Sequence, residues 1–192
     1  MEQTLKEFTI PKGYPFEGKS LDILISEEEI KDRIAEMAID VSKQFKTEKP
    51  IFIGVLNGSF LFYADLLREL TIDFEVDFLK IDSYGSATKS TGTVRLLKDI
   101  SANITGRHVV IIEDIIDTGL SIQFLKQRME NAGPASVTFV TLLFKPEVAK
   151  LNFPIDYIGF NIPNRFVVGY GLDYDQKLRG LKNILAFKEG DV

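Results

Sequence analysis

The stretch "VVIIEDIIDTGLS", residues 109–121, decides how this chain is read. Branched apolar residues run straight into Glu113 and Asp114, and Asp117 follows before Thr118 and Gly119 open a new segment. A continuous β-branched run is the mark of a strand covered on both faces. Carboxylates that close together repel, so the fold gains nothing from them unless a cation or a polyhydroxyl ligand sits among them. Asp117 alone would read as a helix cap and the other two as solvated charges; the three together, between a buried strand and Thr-Gly, point to a site. Free N–H groups at the start of the next helix, the close approach Gly119 permits, and the Thr118 and Ser121 hydroxyls make a phosphate cradle. Carboxylates beside such a cradle suit sugar hydroxyls or a hard cation such as Mg²⁺. A phosphorylated sugar satisfies both halves at once.

Outward from this turn, strands and helices alternate. Ser26 and Glu29 form a capping-box pattern, and Ile30, Ile34, Met37, Ala38, Val41 and Phe45 recur at helical spacing behind it. "IFIGV" (51–55) reads as a buried strand, "NGS" as a turn, and "FLFYADLLREL" as a helix apolar nearly all round. Strands are expected at 73–81, 94–100, 107–113 and 135–144, with a helix from about Thr118 to Asn131. Between the first two of these strands, "DSYGSATKSTGT" has no periodicity. "IDYIGF", "RFVVGY" and "NILAF" are short strand candidates in a more irregular C-terminal third, and residues 1–25 read as an arm with one short strand near Leu21–Ile25. The expected fold is α/β, a mainly parallel sheet with helices on both faces, whose ligands lie beyond the carboxyl ends of the strands.

The totals narrow the function classes. With 192 residues, 45% hydrophobic and 27% charged, the chain fits one ordinary globular domain. A net charge of −5 and a pI near 5.0 argue against a general nucleic-acid binder. There is no cysteine for a disulfide or thiolate site, and His108 is the only histidine. The N-terminus lacks a signal-peptide pattern and no 18-residue apolar stretch occurs, so a cytoplasmic protein with no membrane partner is expected. Neither G-x-x-x-x-G-K-[ST] nor G-x-G-x-x-G is present; "GYGL" (169–172) lacks the third glycine.

Residues 109–121 resemble the phosphoribosyl-pyrophosphate signature of type I phosphoribosyltransferases, a hydrophobic run, two acids and D-T-G-x-[ST]. Four further stretches resemble the hypoxanthine-guanine branch of that family: "GVLNGSF" (54–60), "SYGSATKSTG" (83–92), "TLLFKPE" (141–147) and "NRFVVGYGLDYDQKLRGL" (164–181). The resemblance implies the type I phosphoribosyltransferase fold in a single domain, with a core of about residues 26–150 and a small hood from about 1–25 and 151–192. It implies transfer of a 5-phosphoribosyl group from 5-phosphoribosyl 1-pyrophosphate to N9 of hypoxanthine or guanine in purine salvage, giving IMP or GMP. It also implies Mg²⁺, and a homodimer or homotetramer.

Residue by residue, the resemblance makes Glu113 and Asp114 partners of the ribose hydroxyls. Asp117, Thr118, Gly119, Leu120 and Ser121 hold the 5′-phosphate, and Asp117 doubles as the general base or proton partner at N7 of the purine. Asn57, Gly58 and Arg179 face pyrophosphate, with a cis peptide expected at Asn57-Gly58; Asn57 stands where the family often has Lys or Arg. Ser83 and Tyr84 begin a lid. Ile115, Lys145, Phe166, Val167 and Asp173 belong to the purine side, and Glu113, Asp114 and Asp173 are the implied metal ligands. An ammonium has donors only, so Lys145 favours a 6-oxo over a 6-amino purine. The alternatives are a phosphoribosyltransferase for xanthine, adenine or uracil, and a regulator of the same fold that binds nucleic acid. The second would need a basic face, which this acidic chain lacks.

Overall fold

In chain order the computed structural model contains β1 (Glu7–Thr9), β2 (Ser20–Ile25), α1 (Glu27–Gln44), β3 (Ile51–Leu56), α2 (Phe60–Glu69), β4 (Glu75–Tyr84) and β5 (Thr93–Lys98). There follow β6 (His108–Ile116), α3 (Leu120–Glu130), β7 (Ser136–Phe144), β8 (Tyr157–Asn161), β9 (Val167–Val168) and β10 (Ile184–Ala186). It describes residues 6–84, 93–188 and 190.

The main sheet has the order β5-β4-β3-β6-β7-β8. All neighbours pair in parallel except β5, which closes an antiparallel edge on β4. Period-2 alternation feeds two cores from one strand. Phe52, Val110, Ile112, Val140 and Leu142 face α1 and α2, while Ile51, Ile53, Val109, Ile111 and Phe139 face α3. Because β6 is central, the four residues Val109–Ile112 are fully buried, and the strand carries on through the buried Glu113 and the half-buried Asp114 to Ile116, beyond the expected end at residue 113.

Local chemistry follows the reading from sequence in detail. The Ser26 capping box is complete: Glu29 N donates to Ser26 Oγ at 3.3 Å and Ser26 N donates to Glu29 Oε2 at 2.8 Å. Arg33 donates to the carbonyls of Gly159 and Ile158, covering the outer strand β8. Helix α2 is less enclosed than its composition suggests. It buries Phe62, Tyr63 and Leu66, but Phe60 is 41% exposed.

The hood is a four-stranded antiparallel sheet in the order β1-β2-β10-β9, so both ends of the described chain meet in it. Strand β8 lies in the main sheet, which moves the start of the C-terminal hood from 151 to beyond residue 161. The reason is burial: Ile162 and the β8 residue Phe160 belong to the core beneath α1 and α2. Strand β1 was not expected from the sequence; it is three residues long and too short for a pattern.

Tyr170 ties the hood to the sheet. Its ring is buried, its backbone adopts φ +46°, and its hydroxyl donates to Asp65 Oδ2 on α2 at 2.5 Å. Burial pushes the Tyr170 hydroxyl far above the ordinary phenol range, so it remains a donor. Tyr170→Phe leaves the packing intact but strips a charged acceptor of its partner; urea denaturation should show a loss of about 2 kcal/mol. An unchanged midpoint would mean that the bond contributes nothing to docking of the hood.

Candidate active site

The acidic strand end opens into two adjoining cavities. One, of about 400 Å³, is lined by Glu113 through Ile122 together with Val55–Gly58 and Ile81. The other, of about 500 Å³, adds Lys80, Asp82, Lys145, Phe166, Val167, Asp173 and Arg179 to Asn57, Gly58, Asp114, Ile115 and Asp117. Except for the lid, every site residue expected from the sequence therefore lines one cavity or the other. Ser83 and Tyr84 end β4, in register with Val94 and Thr93, and the rest of the expected lid lies outside the described residues.

At the phosphate end, Gly119 occupies the N-cap position of α3 with φ +88°, a left-handed conformation costly for any residue with a Cβ. A Cβ there would also fall 2.7 Å from the Leu151 side chain. No side chain caps the helix, so Asp117 is not its cap, and the helix starts at Leu120 instead of Thr118. The first-turn residues Leu120, Ser121 and Ile122 line the smaller cavity, and no side chain caps their end of the helix.

Asp117 instead accepts from Lys145: Nζ lies 3.0 Å from Asp117 Oδ2. The lysine side chain is 7% exposed and the aspartate 51%, so a buried cation holds a carboxylate that still reaches the cavity. Lys145 is set at the end of β7, where its backbone N–H donates to Ile116 O at 3.0 Å.

Glu113 is buried and Asp114 half-buried. Burial first, and then the neighbouring Asp114 charge, hold the Glu113 carboxyl well above the ordinary range. Burial pushes Asp114 up to about 6, against the backbone N–H of Ile115 and the Arg179 charge, which pull it down. Gly58 presses on this carboxylate, since a Cβ there would fall 1.6 Å from Asp114 Oδ2. The turn carrying Gly58 is anchored by buried Ser59, whose Oγ donates to Val55 O at 2.5 Å. The cis peptide bond precedes Asn57, at Leu56-Asn57, and not Asn57-Gly58 as expected. That places the Gly58 amide one bond beyond the cis unit, inside the turn that enters α2.

Arg179 is held by Gly171 O at 2.6 Å, Asp173 Oδ1 at 2.8 Å and Gln176 Oε1 at 3.0 Å. Among the described residues no group of three or more His, Asp or Glu side chains gathers as a cation site, so Glu113, Asp114 and Asp173 do not form a preassembled metal cage. Phe166 is 45% exposed, while Val167 is buried in β9. The ring of Phe166 rests edge-on against Tyr174 and Phe187, each 5.8 Å away, and Phe16 of the arm packs on the same two rings.

The sequence reading missed Phe16, Lys80, Asp82, Leu172 and Gln176. The last two lie inside the quoted stretch 164–181. The signal for Lys80 was a charge at a position alternating with Val76 and Phe78. Nothing local marks Phe16.

The raised acids make a pH prediction. The ordinary aspartate value is 3.8 and the folded value of Asp114 about 6. As pH rises through that interval the unfolded chain loses the proton first, so destabilisation begins near 4, is complete above 6, and amounts to about 2–3 kcal/mol. Asp114→Asn should therefore raise the denaturation midpoint at pH 8 and leave it near the parent value at pH 4. Equal gains at both pH values would show that charge burial is not the cause.

Comparisons with known proteins agree with this geometry. The phosphoribosyl transferase domain model matches residues 21–175. The chain is 40% identical over 166 residues to the hypoxanthine-guanine phosphoribosyltransferase of Bacillus subtilis, covering 86% of this chain and 92% of that one. It is 42% identical over 167 residues to the hypoxanthine phosphoribosyltransferase of Escherichia coli K12, covering 86% and 94%. A crystal structure of a hypoxanthine-guanine phosphoribosyltransferase from Bacillus anthracis superimposes with a TM-score of 0.82 at 45% identity, covering 87% of this chain and 98% of that one. The matched span takes in both faces of the main sheet and the whole acidic turn, and on that ground the chain belongs to the phosphoribosyltransferase family.

Proposed function

We propose that this protein is a purine-salvage enzyme, a hypoxanthine(-guanine) phosphoribosyltransferase using 5-phosphoribosyl 1-pyrophosphate. The observation that carries the choice of base is the Lys145–Asp117 pair, which sets a buried ammonium and a half-exposed carboxylate side by side in the cavity walled by Phe166. The 6-oxo group of a purine accepts from Lys145, and N7 faces Asp117, whose carboxylate takes or shares the proton there. The base lies between Phe166 and Ile115, with its position 2 toward the Val167 backbone.

The sugar phosphate lies in the smaller cavity. The amides of Asp117–Ser121 hold the 5′-phosphate, and Glu113 and Asp114 orient the 2′ and 3′ hydroxyls. As the glycosidic bond to pyrophosphate breaks, positive charge grows on the ribose and negative charge on the leaving group. The turn at Asn57-Gly58 and Arg179 stabilise the latter. Ser83 and Tyr84 lead into the lid that excludes water.

Mg²⁺ fits the donor set. Asp114 and Asp173 are near enough that the charge of Asp173 raises the proton affinity of Asp114, yet among the described residues no third acid gathers with them into a cation site. That suits an ion that takes one or two carboxylates and completes its shell with phosphate oxygens and water. When bound, it neutralises charge on the leaving pyrophosphate.

The chain acts in the cytoplasm as a homodimer or homotetramer, without nucleic-acid or membrane partners; among the described residues no helix is long and apolar enough to cross a membrane.

The direct test is nucleotide formation from 5-phosphoribosyl 1-pyrophosphate and Mg²⁺ with hypoxanthine, guanine, xanthine, adenine and uracil in turn. Product is expected from the first two; product only from adenine or uracil would refute the reading. Asp117→Asn should lower kcat by about 100-fold while leaving donor affinity within about threefold. Unchanged turnover would remove Asp117 from the chemistry.

A further inference from the structure

The larger cavity contains three cations, and two are already committed. Lys145 is paired with Asp117 and Arg179 with Asp173. The third, Lys80, is half-buried, lines the cavity with Asn57 and Arg179, and has no ion-pair or hydrogen-bond partner among the described residues.

Its place in the sheet is specific. Lys80 is the β4 residue in register with Leu56, the residue directly before the Asn57-Gly58 turn. On its other side it faces Lys98 of β5, where the register shifts between Lys80 and Ile81. Two lysines directly opposite across a ladder are destabilising. Lys98 resolves its own charge on Asp77, at 3.6 Å, and on the Phe78 carbonyl, at 2.6 Å. Lys80 is left with none of these acceptors, and a bulge is the local device that re-aims a side chain. Asp82, two positions on, lines the same cavity but forms no ion pair with Lys80 within 4 Å. The fold therefore leaves at the rim of the Asn57-Gly58 turn, whose own side chain at Asn57 is neutral, a cation with no partner among the described residues.

We propose that Lys80 is a pyrophosphate-binding residue, supplying from the sheet edge of the cavity the positive charge that the Asn57-Gly58 turn lacks. The inference rests on the reading above, in which that turn and Arg179 face the leaving group. Pyrophosphate is a polyanion, and a half-buried ammonium makes a stronger contact with it than an exposed one. The contact also forms as charge develops on the leaving group, so it acts in the transition state as well as in donor binding.

The test is titration of the full chain with magnesium pyrophosphate and, separately, with IMP. Lys80→Met should weaken pyrophosphate binding about tenfold, the size of one charge-assisted contact. It should leave IMP affinity unchanged, because the nucleotide places no diphosphate in this region. Lys80→Gln should give the same loss, which guards against a packing effect of methionine. Lys80→Arg should retain most of the affinity. The double variant Asn57→Lys with Lys80→Met should recover it, since a charge returned from the other side of the turn serves the same anion. Pyrophosphate affinity indifferent to Lys80→Met and Lys80→Gln would overturn the proposal while leaving the enzyme reading intact. Equal losses for pyrophosphate and IMP would also overturn it, by showing a structural effect. Failure of the parent chain to bind pyrophosphate or form nucleotide would instead refute the reading on which it rests.

Discussion

Two adjacent carboxyls, Glu113 and Asp114, stand in the carboxyl-terminal half of the central strand β6, and most of the architecture around them follows from keeping them there. Burial alone would neutralise or expel such groups. They are retained because β6 is paired on both sides and packed on both faces, so its backbone cannot yield. Gly58 then closes on Asp114 from the neighbouring turn at a distance no side chain would permit. The resulting site is unfavourable for the empty protein, as sites that await a polar or charged ligand commonly are.

Around this fixed point the remaining groups are held in pairs. Lys145 keeps Asp117 facing the cavity, and Asp173 with Gly171 and Gln176 keeps Arg179 in place. A ligand bearing both a carbonyl and phosphates would exchange these internal partners for its own atoms, so neither Asp117 nor Arg179 is left bare on either side of binding. The hood contributes through support as well as contact. Tyr174 and Phe187 from the C-terminal segment, backed by Phe16 from the arm, hold the ring of Phe166, and Tyr170 anchors the whole assembly on α2, whose first residues follow the Asn57-Gly58 turn.

Much of this was legible in the order of residues. The strand-acid-Thr-Gly-Ser run predicts a buried strand, a helix start and a charged rim, and each is present, because these are local consequences of branching, charge and glycine. The hood was only partly legible. Its strands are three residues or fewer except for β2, and their partners lie more than 150 residues away for β2 and β10, a distance no periodicity reports. Asp117 illustrates the same limit. Taken alone it read as a helix cap, and only its company of acids and the family resemblance pointed to a cavity carboxylate; its actual partner, Lys145, arrives from another strand. Lys80 was hidden for a related reason: its lack of a partner among the described residues follows from how β4, β5 and the turn after β3 meet.

The central claim is that the raised carboxyls of the acidic strand end are kept for the donor sugar. Calorimetric titration of the protein with 5-phosphoribosyl 1-pyrophosphate and Mg²⁺, in buffers of different ionisation enthalpy near pH 6, tests it most directly. Hydrogen bonds and positive charge brought to a carboxylate favour its ionised form, so binding should release protons at pH 6, and the release should fade by pH 8. Asp114→Asn should lack the part of that release that the donor's own phosphates do not supply. Identical proton release from the parent chain and from Asp114→Asn would contradict the account.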